Sequence, residues 1–148
     1  MKSDRLIRLL IREALNEHMK PVGSVKTSSG EATVFYDPEI TMGETATKIL
    51  RLLRSIPERE RMKSTVRRVE VFDNPEDVTR RLDDVGIYQD DLSNGAFDFR
   101  SGTLYTCVWD GYQESPRTTL HEFGHSIVGV DEEMAESWYE NYAESVDW

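Results

Sequence analysis

The chain has 148 residues, enough for one domain that buries roughly two-thirds of its unfolded surface without a metal as a staple. With 31% charged residues, 38% hydrophobic residues and no apolar run near the ~20 residues that cross a bilayer, a membrane-spanning role is excluded and no membrane partner is expected. A formal net charge of −10 and the lack of a Gly-rich phosphate loop argue against nucleic acid as a partner.

Residues 5–17 place Ile7, Leu10, Ile11 and Ala14 on one stripe and Arg5, Arg8 and Arg12 opposite, which predicts an amphipathic helix. The arginines interrupt the apolar stretch and no small-residue cleavage site follows, so it does not read as a signal peptide. Pro21, Gly23 and Ser28-Ser29-Gly30 punctuate the chain, making 20–30 a linker or hairpin. We therefore divide the chain into an N-terminal helix, 1–20, and a domain, 21–148. The helix is basic in an acidic protein, which suggests a protein partner or self-inhibition through it, beside simple packing on the core.

Ala32 to Tyr36 reads as a strand and Glu44 to Ile56 as a helix ended by Pro57. Thr65 to Phe72 is a second strand. Asn74-Pro75 is a cap and first-turn signal for a helix through Leu82, with Gly86 beyond its end. Ala96–Phe99 and Leu104–Trp109, separated by Ser101-Gly102, predict a hairpin. Ser115-Pro116 opens a helix expected to reach Val128, where Gly129 stops it, and Asp131 caps a last helix running nearly to Trp148. Cys107, the single cysteine, excludes an intramolecular disulfide, fits a reducing compartment and reads as a small buried apolar residue. The cytoplasm of a bacterial cell or of a phage-infected host is the expected location.

The chemistry concentrates in His121-Glu122-Phe123-Gly124-His125. Two histidines four apart on one helical face can grip a single zinc ion, and Glu122 stands beside its open side as a general base. Random placement gives this pattern about once in 150 chains of this composition, so coincidence is disfavoured. A glutamate-rich helix follows at once: residues 131–148 hold seven acids and no bases. If the two helices form a straight antiparallel hairpin, Glu136 is the third ligand.

With that motif the chain resembles the zincin metallopeptidases, and among them the gluzincins, including lethal-factor-like and ImmA/IrrE-like peptidases. The resemblance covers mainly residues 96–140. Glu132-Glu133-Met134-Ala135-Glu136 is similar to their Glu-x-x-small-acid pattern. It implies Glu132 as the third ligand, Ala135 as the point of close helix approach, and Glu136 as the group that orients a ligand histidine from behind. Only six residues separate His125 from Glu132, fewer than most gluzincins insert, although Gly129 could reverse the chain within them. Glu136, the repeat Glu140-x-x-Ala143-Glu144, and Asp131, which fits the metzincin ligand position, stay open as alternatives.

The resemblance implies an α+β fold: a small zincin-like domain with a mixed β-sheet, an active-site helix and a C-terminal glutamate helix. It implies a zinc-dependent endopeptidase that cleaves peptide or protein substrates with metal-activated water and Glu122 as base. The strand just upstream of the metal helix, 103–109, is the expected edge for an extended substrate. Trp138, Tyr139 and Tyr142 are expected to pack, with cleft lining or oxyanion binding by a tyrosine as the other role. The alternative is a non-catalytic metal-binding protein of zincin fold with a regulatory or interaction role; the opening RLIRLLIREAL faintly resembles proteins of large tailed phages.

Overall fold

The computed structural model describes residues 18–111 and 113–148. The amphipathic helix expected at 5–17, and with it the proposed 1–20 unit, lies outside the described residues. The hairpin reading of 20–30 holds: β1 (Lys20–Thr27) and β2 (Gly30–Tyr36) pair antiparallel about Ser28-Ser29.

The remaining elements are α1 (Gly43–Ser55), α2 (Glu58–Arg61), β3 (Arg68–Phe72), α3 (Pro75–Asp84), β4 (Gly95–Asp98), β5 (Thr103–Cys107), the short β6 (Trp109–Asp110) and β7 (Gln113–Glu114), α4 (Arg117–Val128) and α5 (Glu132–Tyr142). The domain is thus a small α+β unit with one five-stranded mixed sheet and, among the described residues, five helices. Strand order is β1-β2-β3-β5-β4, with β2, β3 and β5 parallel and the outer strands antiparallel to their neighbours.

Alternation along the strands sorts the side chains to two faces. Val34, Val69, Val71 and Leu104 meet Ile49 and Leu53 of α1, Leu120 and Phe123 of α4 and Trp138 of α5. Phe72, Tyr105 and Cys107 meet Val78 and Leu82 of α3 on the other face. The expected cap of α3 forms, Asn74 Oδ1 accepting from the Asp77 amide at 2.9 Å. Cys107 is fully buried in that second cluster.

Three expectations are corrected. The strand 103–109 is not an edge: β5 lies between β3 and β4, is buried at all five positions, and leaves β4 as the edge. The predicted strand from Thr65 starts only at Arg68, because the Thr65 amide goes to the Ser126 carbonyl of α4 and the Arg67 amide to Gly102. The last helix stops at Tyr142 instead of running to Trp148; the Ser145 amide turns back to the Tyr142 carbonyl, and the Asp147 amide bonds the Ser55 hydroxyl of α1.

Candidate metal centre

The site begins with how α4 is fastened to the sheet. Leu120 and Phe123 are fully buried, Thr119 Oγ1 meets Thr106 Oγ1 of β5 at 2.7 Å, and Ser126 Oγ meets Ser64 Oγ at 2.7 Å. With that side fixed inward, helical spacing turns His121, Glu122 and His125 toward the neighbouring helix and the rim of the sheet.

The reversal into α5 follows from Gly129, which has φ +94°, a value that disfavours any side chain. Its amide closes α4 on the His125 carbonyl at 2.9 Å. Asp131 caps α5, its Oδ1 accepting from the Met134 amide at 3.1 Å. The helices then close tightly: a Cβ on Gly124 would stand 3.2 Å from the Ala135 carbonyl and 3.2 Å from the Trp138 ring. The two fully or nearly buried residues Ala135 and Gly124 are the small pair that permits this approach.

The hairpin brings Glu132 between the two histidines. Its carboxylate oxygens lie 2.8 Å from His121 Nε2 and 3.0 Å from His125 Nε2. These donor atoms of His121, His125 and Glu132 could hold a metal ion. The outer ring nitrogens are engaged as well. His125 Nδ1 donates to the Gly129 carbonyl at 2.7 Å, and His121 Nδ1 meets Glu136 Oε2 at 3.1 Å.

Those outer partners supply a test of fit. A carbonyl oxygen only accepts, so His125 Nδ1 carries its proton, and the carboxylate behind His121 asks the same of that ring. In neutral imidazoles this leaves both Nε2 lone pairs facing carboxylate lone pairs at under about 3.2 Å, an arrangement that repels unless a proton or a metal ion lies between them. Two imidazole nitrogens and a carboxylate oxygen, each histidine braced from behind, are a donor set suited to a divalent transition metal.

The other acids expected as alternatives have different positions. Asp131 is committed to its cap, and Glu140 and Glu144 are exposed further along, outside the group that could hold a metal. Glu136 stands behind His121 and is not among the three converging residues; its second oxygen accepts from Arg117 Nη2 at 2.7 Å.

Glu122 lies beside the histidines in an open cleft of ≈ 240 Å³ lined by Asn94, Gly95, Arg117, Thr118, His121 and Glu122. Burial pushes its carboxyl above the ordinary carboxylate range against the pull of the His125 and His121 rings; the Glu132 charge adds to the rise, and a hydrogen bond from the Phe97 amide works against it. That amide belongs to the edge strand, so the acid stands where β4 meets the cleft. Gly95 makes room, since a Cβ there would lie 2.7 Å from the Tyr105 carbonyl, 2.8 Å from Thr118 Cγ2 and 3.3 Å from Glu122 Cγ.

The aromatic residues of α5 pack. Trp138 is buried against Phe123 and its Nε1 donates to Glu60 Oε2 at 3.3 Å, while the Tyr142 hydroxyl donates to Glu60 Oε1 at 2.6 Å. Tyr139 lies under the Arg117 guanidinium, 5.0 Å away. His18 is exposed and Cys107 is part of the α3-side core. Sequence reasoning missed Arg117, Gly124, Gly95, the Phe97 amide and Glu60. Arg117 was legible in principle, four residues before His121 on the same helical face; Glu60 carried no signal, being 72 residues from Glu132 along the chain. Comparison with family models, with curated proteins and with solved structures found no match to this chain.

Proposed function

We propose that the protein is a zinc-dependent peptidase of gluzincin type. The observation that carries this is the convergence of His121 Nε2, His125 Nε2 and Glu132 on one point, with Glu122 next to them in an open cleft. His121, His125 and Glu132 would hold the ion. Lewis acidity, which polarises a carbonyl and acidifies water, is the chemistry zinc supplies when bound.

The rest is the work of the chain's own residues. Glu122 accepts a proton on its carboxylate as the scissile carbonyl is attacked and returns it to the leaving amine. The Gly129 carbonyl and Glu136 keep the two rings turned so that Nε2 faces inward. β4 is the edge strand beside the cleft, and an extended peptide adding there would run past the Phe97 amide that Glu122 already touches. That edge is the expected seat for the substrate, in place of the strand 103–109.

One observation favours the second reading, a metal-holding interaction protein that cleaves nothing: the cleft, ≈ 240 Å³, is smaller than the ~300–1,000 Å³ of ordinary ligand pockets. Elemental analysis followed by a peptide-library cleavage assay separates the readings. The peptidase should carry zinc and cleave. The Glu122→Gln protein should keep its zinc and lose activity by about 10²–10⁴-fold. Zinc-loaded parent protein that leaves every peptide intact would remove the enzyme reading; parent protein that takes up no zinc would remove both.

A further inference from the structure

The two glutamates of α5 present a problem of selection. Glu132 and Glu136 lie four residues apart, on one face of the helix, and both reach His121, one at each ring nitrogen. Chemically they are equivalent, and either carboxylate is a competent metal ligand. Something must send one of them behind the ring and leave the other in front.

Arg117 is that asymmetry. It stands one turn before His121 on α4, its Nη2 donates to Glu136 Oε1 at 2.7 Å, and the other oxygen of the same carboxylate meets His121 Nδ1 at 3.1 Å. The guanidinium rests over the Tyr139 ring, 5.0 Å from its centre, so its direction is fixed by α5 as well. Glu132, by contrast, meets only the two histidine rings among the described residues, and its side chain is 75% exposed. Three carboxylates, Glu122, Glu132 and Glu136, crowd these two helices, and among the described residues Arg117 is the one Lys or Arg lining the cleft.

We propose that Arg117 is a positioning residue that assigns the roles of the two glutamates: by holding Glu136 behind His121 it fixes the ring and leaves Glu132 as the metal's carboxylate. This rests on the metal reading of the site and goes beyond it in naming what separates ligand from brace. The relay runs Arg117 to Glu136 to His121 Nδ1, and does not include His125, whose Nδ1 has its own partner in Gly129.

The test has a metal-free and a metal-bound arm, using the full chain. In the first, ring nitrogen and carbon resonances of His121 and His125 are compared by NMR in the parent, Arg117→Met, Arg117→Lys and Glu136→Gln proteins without metal. Arg117→Met should move His121 and spare His125, in the direction of Glu136→Gln, and Arg117→Lys should restore most of the parental position. In the second, zinc affinity is read by competition with a chromophoric chelator. Arg117→Met should weaken binding about 10–100-fold, the loss typical of an outer partner. Combined with Glu136→Gln it should cost no more than Glu136→Gln alone. Unmoved His121 resonances, or zinc losses that simply add, would overturn the relay. A moved His121 in a protein that binds no zinc in any variant would overturn the metal reading and with it the assignment of ligand and brace.

Discussion

Two clusters of carboxylate and nitrogen face each other across the sheet, and they are built to opposite ends. On the α3 side Glu70 takes Arg81 Nε at 2.7 Å and Nη2 at 3.1 Å, with Arg68 Nε at 2.9 Å, and the Glu70 and Arg81 side chains are only 2% and 5% exposed. Donors meet acceptors there, and the Glu70 carboxylate is fully engaged by the two guanidiniums. On the α4 side both Nε2 atoms point at Glu132, whose side chain is open to solvent, and in neutral rings that sets acceptor against acceptor. The lesson is that a buried polar cluster is not by itself a functional one. What marks the second cluster is two ring nitrogens and a carboxylate converging with access from outside, a group that could hold a metal ion.

The comparison can be broken first at the metal side. Glu132→Ala should lower zinc affinity by more than about 100-fold, beyond what loss of an outer brace costs, with little change in urea stability of the metal-free protein. Chelator competition and urea melts on the same preparation measure both. An equal loss of stability in the metal-free state would mean that Glu132 is an ordinary structural acid like Glu70.

The closed cluster should respond in the reverse sense. Arg81→Met strands a buried carboxylate and is expected to cost about 3–5 kcal/mol of unfolding free energy, with zinc affinity in the surviving folded protein unchanged. Equilibrium denaturation reads the first part. Retained Arg68 contacts set the lower end of that range.

Gly95 belongs to the open side, on the edge strand under the cleft. Gly95→Ala should destabilise by about 1–3 kcal/mol, because a Cβ would press on the Tyr105 carbonyl and Thr118. It should also impair turnover through Glu122 more than it impairs zinc binding. Parallel melting and titration experiments decide whether strain or chemistry dominates.

The smallest effect concerns Glu60. Burial alone would raise its carboxyl, but hydrogen bonds from Tyr142, Lys63 and Trp138 outweigh it and hold the group below the ordinary carboxylate range. The folded state therefore binds the Glu60 proton less readily than the unfolded chain. Its contribution is complete above the ordinary range and fades as pH falls through that range toward the lowered folded value. Glu60→Gln should cost about 1 kcal/mol at neutral pH and progressively less toward pH 3 in denaturant titrations. A mutant penalty that grows on acidification would contradict this account.

Much of the local architecture was legible because its causes are local. The Asn74-Pro75 start of α3, the Gly129 stop, the Asp131 cap and the one-turn spacing of His121 and His125 each depend on residues within a few positions. The small-residue approach at Ala135 was legible as a pattern, although its partner Gly124 was not named. What the sequence withheld is long-range. Whether the strand after Gly102 is inner or outer depends on where β3 inserts, and nothing in Leu104–Trp109 encodes that its neighbour on one side is Arg68–Phe72. The burial of β5 at all five positions follows from that placement and could be read only from the structure. The early end of α5 likewise answers to α1 through Ser55, 92 residues away from Asp147.

Gly129 serves both the chain reversal, through its backbone angle, and the His125 ring, through its carbonyl, so all three converging donors and both of their braces fall within the stretch from Arg117 to Tyr142. The group that could hold an ion thereby belongs to one contiguous helical cassette, which a designer could graft whole onto another scaffold. The proposed reactivity would not be portable in the same way. The Phe97 amide and the glycine floor beneath Glu122 come from a different part of the chain, so a transplanted cassette would inherit grip without chemistry.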